Sequence, residues 1–196
     1  MEEQFQDLFR IRHNSDRVEI GKVLIAEPFL QGNYFNRSVV YIVEHDETGS
    51  VGFVLNKPLP YTTSQLVKGL EGIELPVYLG GPVERNQLYY IHRKSGLSGA
   101  LMIREGVYWG GNFRLLTEWL KSGKMTSGDV RFFAGYSGWN GKQLQGELEE
   151  NSWMVGDIET EILFQLPNPQ LWEQSMGSLG GRYKIWANFP EDPIMN

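Results

Sequence analysis

Short apolar runs punctuated by glycine-, asparagine- and proline-rich joints dominate the chain, and most of the runs are strand-sized. Residues 21–26 read as a buried strand stopped at Pro28, and 38–44, rich in Val, Ile and Tyr, as a second. Asp46-Glu47-Thr48-Gly49 has turn chemistry, and 51–55 completes a hairpin with the second strand. Residues 77–79 and 88–92 bracket the turn Gly80-Gly81-Pro82; 107–109 runs into Gly110-Gly111-Asn112; 130–134 and 158–164 complete the strand set. The period changes to that of a helix over 3–12, where Phe5, Leu8, Phe9 and Arg12 share a face. Thr62 or Thr63 caps a short helix carrying Leu66 and Leu70. Asn112 caps a helix whose buried stripe is Phe113, Leu116 and Leu120, thickened by Leu115 and Trp119. Residues 138–150 form a helix with Leu144 and Leu148 inward and Glu147, Glu149 and Glu150 outward. Asn168-Pro169 opens a last helix bearing Leu171, Trp172 and Met176 and ended by Gly177. Strands come in succession early and helices are interspersed later, the order of an α+β fold with substantial antiparallel pairing. No linker, repeat or low-complexity stretch divides residues 1–196, so a single domain is expected.

Composition narrows the function classes. The chain has no cysteine, which removes disulfides, thiolate nucleophiles, cysteine zinc sites and iron–sulfur clusters. No apolar stretch approaches the roughly 18 residues that span a bilayer, and the acidic N-terminus lacks the features of a signal peptide. A cytoplasmic location and no membrane role are expected. Net charge is −6 with scattered basic residues, which argues against direct nucleic-acid binding.

The segments 21–28 (GKVLIAEP), 37–45 (RSVVYIVEH), 52–58 (GFVLNKP), 80–83 (GGPV), 135–139 (GYSGW) and 150–153 (ENSW) together resemble the AlgH/YqgE family of small bacterial proteins, over about residues 20–179. The resemblance implies a bifurcated, largely antiparallel sheet curled into a barrel-like body with surrounding helices, in a bacterial cytoplasmic protein. It also carries the role of transcriptional regulator that the family's name suggests, through control of alginate synthesis, but no particular chemistry. No helix-turn-helix pattern accompanies it in this chain.

Candidate chemistry lies in several short motifs. Gly135-Tyr136-Ser137-Gly138 approaches the nucleophile elbow, but Trp139 stands where the elbow needs a glycine, so a tight strand-to-helix joint is the competing reading. His13, His45 and His92 lie far apart; a metal site would need folding to gather His45 and His92 with Glu44 or Asp46, against the ordinary reading of histidines at strand ends. Gly110-Gly111-Asn112 offers amides for an anion, or simply a turn. Arg37, Glu44, His45, Asn56 and Lys57 form the candidate ligand-binding cluster, in which Arg37 and Lys57 would hold a small anion; structural caps and ion pairs are the alternative. Tyr136, Trp139 and Trp153 form a candidate partner-binding patch, unless the tryptophans pack the core. No catalytic residue, metal or cofactor is assigned. The expected function is a non-catalytic binding or regulatory protein acting through a protein partner or a small anionic ligand. The alternative is an enzyme of unrecognised type, which requires Arg37, Glu44, His45, Asn56 and Lys57 to converge.

Overall fold

A computed structural model describes residues 11–15, 17–165 and 167–190. In chain order the elements are β1 (Val23–Ala26), β2 (Val39–His45), β3 (Gly49–Val54), β4 (Pro58–Thr62), α1 (Thr63–Leu66), β5 (Pro76–Leu79), β6 (Val83–His92), β7 (Ala100–Arg104), β8 (Val107–Gly110), α2 (Phe113–Lys121), β9 (Val130–Asn140), α3 (Gln143–Glu149), β10 (Trp153–Gly156), α4 (Thr160–Phe164), α5 (Leu171–Ser178) and α6 (Tyr183–Trp186). The strands join in the order β10-β1-β2-β3-β9-β6-β8-β7, with β4 and β5 branching off β9. All pairings are antiparallel except β5 with β9. The result is an α+β body built on a bifurcated, curled half-barrel sheet.

Why the strands read as continuous apolar runs follows from burial on both faces. Val23, Ile25, Val39, Tyr41, Phe53 and Phe133 point into one core roofed by α4, α5 and α6. Their neighbours Leu24, Ala26, Val40, Ile42 and Val54 point the other way, onto Leu144 and Leu148 of α3. A third core packs Val77, Tyr90 and Phe132 under Leu116 and Trp119 of α2. The cap of α2 forms as expected, with Asn112 Oδ1 accepting from the Leu115 amide at 3.0 Å. So does the β2–β3 turn, where Asp46 Oδ1 accepts from the Thr48 and Gly49 amides.

The bifurcation sits at β9. Its first half has β5 on one side and β6 on the other; its second half turns to β3. Gly80 bridges this fork: its amide donates to Ala134 O, and its carbonyl accepts from the Val54 amide, both at 2.9 Å.

Several expectations change. Residues 135–140 are strand, so the expected helix over 138–150 is confined to α3 and residues 135–138 are no strand-to-helix joint. The expected strand over 158–164 is instead a loop running into α4. Its alternation of acidic and apolar residues imitates a strand, but tertiary hydrogen bonds to its carbonyls from Arg93, Arg104 and Arg131 hold one helical turn. Strands β4, β7 and β10 were not anticipated; β4 opens on Pro58 and contains Pro60, which is tolerated because it lies at the free edge of the branch. Leu70 is buried beyond α1 rather than on it, and Gly177 lies inside α5 rather than ending it. The helix expected over 3–12 falls almost wholly outside the described residues.

Candidate functional site

The five residues of the candidate ligand cluster divide between the two ends of β2. Arg37 and Asn56 lie at its start. Asn56 Oδ1 accepts from the Val39 amide at 2.9 Å and its Nδ2 donates to Arg37 O at 2.8 Å, so this side chain bridges the two strands. Arg37 holds a left-handed backbone (φ 44°), donates to Phe189 O at 2.5 Å and lies 4.5 Å over the Trp172 ring. Lys57 follows, its carbonyl accepting from the Leu79 amide at 2.8 Å. Glu44 and His45 stand at the other end of the strand, where His45 Nδ1 meets Ser50 Oγ at 2.8 Å. At about 3.3 Å per residue, the span from position 37 to 44 is roughly 20 Å. One ligand cannot touch both groups.

The histidines are equally dispersed. His92 pairs with Val130 at one end of β9, whereas Ser50, the partner of His45, pairs with Trp139 near the other end, about 30 Å away by strand rise. His92 is fully buried, its Nε2 3.2 Å from Gly110 O, and burial pushes its pKa below the ordinary value. His13 binds Asn151. Among the described residues no group of three or more His, Asp or Glu side chains could hold a metal ion. Gly110-Gly111-Asn112 is a structural turn: Gly110 O faces His92, Gly111 O accepts from Tyr90 Oη at 2.6 Å, and the Asn112 amide donates to Ser98 O at 2.8 Å.

Of the expected partner patch, Trp139 and Trp153 are buried. Their indole nitrogens both donate to Glu147 Oε2, at 2.8 and 2.7 Å, and the rings meet edge-on at 5.9 Å with Phe35 against both. They are core anchors for α3, not surface anchors. Tyr136 is half-buried against Tyr89, and lines with Glu44, Asp46 and Ser50 a shallow recess of about 350 Å³. Ser137 is fully buried in mid-strand, and its hydroxyl donates to Gly80 O at 3.0 Å across the fork. It faces no base and cannot be reached by substrate. Because Gly80 O keeps its bond from Val54, Ser137→Ala is expected to cost only about 1 kcal/mol in urea unfolding. A loss of activity or binding without loss of stability would contradict the structural role.

The larger opening lies elsewhere. A cleft of about 860 Å³ runs between the loop leaving β10 and the outer face of α5. Asp157, Glu159, Glu161 and Glu105 stand around it, and Val155, Ile162, Leu171 and Leu179 supply apolar wall.

The bifurcated, curled sheet with helices around it is the arrangement the resemblance implies, and a model of the family described as AlgH-like matches residues 23–184. The chain belongs to the AlgH-like family. UPF0301 proteins of Bacteroides thetaiotaomicron and Parabacteroides distasonis are 38% and 42% identical to it, over 97% and 98% of both chains respectively. The solution structure of the AlgH protein from Pseudomonas aeruginosa matches with a TM-score of 0.68, at 26% identity over 91% of this chain and 98% of that one. A crystal structure from Corynebacterium diphtheriae gives 0.73 at 21% identity over 91% and 95%, a likeness of fold.

The cleft escapes motif reading because its polar lining comes from separate segments: the end of β7, the β10–α4 loop and α5. The arginines behind it were also missed. Arg104 Nη2 donates to Ile158 O at 2.7 Å and Thr160 Oγ1 at 3.2 Å, and Arg93 Nη2 donates to Thr160 O at 2.9 Å. The alternation Asp157-Ile158-Glu159-Thr160-Glu161-Ile162, which overlaps the strand expected over 158–164, was the available signal for an acidic edge.

Proposed function

We propose that this AlgH-like chain is a non-catalytic binding protein of the cytoplasm that regulates by docking on a protein partner. The observation that carries this reading is the separation of Arg37 and Asn56 from Glu44 and His45 by the length of β2. An enzyme built on those groups needs them around one reacting atom. The small-anion variant of the binding reading loses its main residue, because the Arg37 guanidinium already serves Phe189 O and Trp172. A protein partner fits better with a net charge of −6 and an open, partly apolar cleft. The acidic balance likewise supports regulation through protein contact rather than DNA reading. No helix among the described residues is long and apolar enough to cross a membrane.

The test is capture from native cytoplasmic extract with quantified stoichiometry, run beside turnover screens on the same protein. The expected result is a protein retained at near-equal ratio and no turnover. Turnover that Glu44→Gln or His45→Ala abolishes would overturn the proposal, as would retention of a small molecule with no protein.

A further inference from the structure

We infer that the cleft between the β10–α4 loop and α5 is a docking groove for an extended basic segment of a partner protein, with cations and apolar side chains alternating. This rests on the binding reading and gives it a site and a partner chemistry.

The first argument is the disposition of charge. Asp157, Glu159 and Glu161 are exposed at alternate positions, while Ile158 between them is buried and fastens the edge to the core. The chain is extended at Glu159, with φ −69° and ψ 147°, and alternate side chains along an extended segment lie about 6.5 Å apart, the repeat of an extended peptide. Glu105, following β7, adds a carboxylate from another direction. Lys22 pairs with Asp157 at 2.8 Å, and Arg93 lies 3.6 Å from Glu161. Among the described residues neither Glu105 nor Glu159 has an ion-pair partner. These two carboxylates are the ones left for incoming cations.

The second argument is rigidity. Arg104 and Arg93 line up behind the acidic edge yet bind its backbone, at Ile158 O and Thr160 O. Their guanidinium groups hold the edge in place while its carboxylates face outward. A groove held this way loses little conformational freedom on binding.

The third is the wall. Ile162 and Leu179 are half-buried at the cleft, an apolar surface between the carboxylates and α5. The volume of about 860 Å³ falls in the upper range of ligand sites and admits several peptide residues. Strand β10 bordering the cleft has its outer edge already engaged by one side-chain amide: Asn14 Nδ2 donates to Val155 O at 2.7 Å, and Asn14 Oδ1 accepts from the Val155 amide at 2.8 Å. Docking is therefore read as side-chain recognition rather than addition of a strand.

The experiment uses the full chain and the fluorescein-labelled peptide amide Lys-Leu-Lys-Leu-Lys, with Glu-Leu-Glu-Leu-Glu and Lys-Ser-Lys-Ser-Lys as comparisons, read by anisotropy. The lysine–leucine peptide is expected to bind, and to weaken as NaCl rises from about 50 to about 200 mM. Replacing Glu105 and Glu159 together by Gln is expected to weaken it by about tenfold or more, with melting within about 2 °C of the parent since both side chains are exposed. The acidic peptide is expected not to bind, and the serine peptide to bind more weakly. Equal affinity for the double variant, equal affinity of the acidic peptide, no binding of the basic peptide, or complete displacement by an equal concentration of spermidine would overturn the inference. If the double variant still captures the same partner from extract as the parent, the groove is wrong while the binding reading stands. If the parent captures no protein, the binding reading fails with it.

Discussion

Gly80→Ala is expected to lower the melting temperature by about 10 °C, corresponding to about 3 kcal/mol or more for a chain of this size. The cause is the fork in the sheet. The link from β5 to β6 crosses β9 here with no room between the backbones. A Cβ at Gly80 would overlap the carbonyl oxygen of Gly135, and one at Gly81 would overlap Tyr136 O and Ser137. Backbone on both sides cannot move aside, because Gly80 itself is hydrogen-bonded to Ala134 and Val54 and receives the Ser137 hydroxyl. Gly135 is doubly constrained, with a left-handed φ of 72° and Val83 O close by. The opposite sign is expected at Gly146, inside α3, where an added Cβ meets nothing within 4 Å. There Gly146→Ala should stabilise by about 0.5–1 kcal/mol through reduced freedom of the unfolded chain. Calorimetry of both variants checks the pair. A Gly80→Ala protein melting within about 3 °C of the parent would show that the crossing relaxes, contrary to the packing described.

The same crossing shows how far the chain could be read without coordinates. Local rules worked where one short segment decides the outcome: the Asp46 turn, the Asn112 cap and the doubly buried runs of β1 and β2 were all legible. They failed where a distant residue decides. Ser137 looked like a nucleophile or a joint because its sequence neighbours suggest a sharp turn; its conformation is set by β3 and Gly80, which lie remote in sequence. The alternating residues at 158–164 suggested a strand because nothing local reveals three arginines waiting for their carbonyls. The α+β class, the curled bifurcated sheet and the family were within reach, the last two through the resemblance. The cleft was not, since its acidic wall carries no motif and its apolar wall is assembled from β10, α4 and the two ends of α5. Meanwhile the residues singled out for polarity, Arg37 and Asn56 among them, were polar for structural reasons that become visible only from their partners.

Arg131→Ala is expected to be the other severe substitution, and its companion Arg131→Met separates two roles of one side chain. Arg131 is fully buried on β9, donates to Leu163 O at 2.6 Å and to Leu55 O, and lies 4.3 Å over the Tyr78 ring. Among the described residues it has no carboxylate partner. Burial pushes its pKa well below the ordinary arginine value, to about 10, so the group stays charged at neutral pH. A depression of that size corresponds to a penalty of about 3 kcal/mol on the charged form. Against this stand two carbonyls, each costing about 1–3 kcal/mol if left without a donor. The terms nearly balance, so charge alone contributes little and volume decides. Ala removes the volume and adds a cavity, for a net loss of about 3 kcal/mol or about 10 °C. Met keeps most of it, and its melting temperature should lie within about 4 °C of the parent. What Met cannot replace is the bond to Leu163 O, the hold on the C-terminal end of α4. Hydrogen exchange of the Leu163 and Gln165 amides, which close α4 onto Glu159 and Ile162, should therefore quicken by about tenfold in Arg131→Met, while the amides of β1 and β2 stay protected. Uniformly faster exchange, or none, would show that Arg131 acts only as a core filler. A local effect would instead join the buried arginine to Arg93 and Arg104 as the third fastening of the acidic edge, and would make the groove's shape a property of the sheet beneath it.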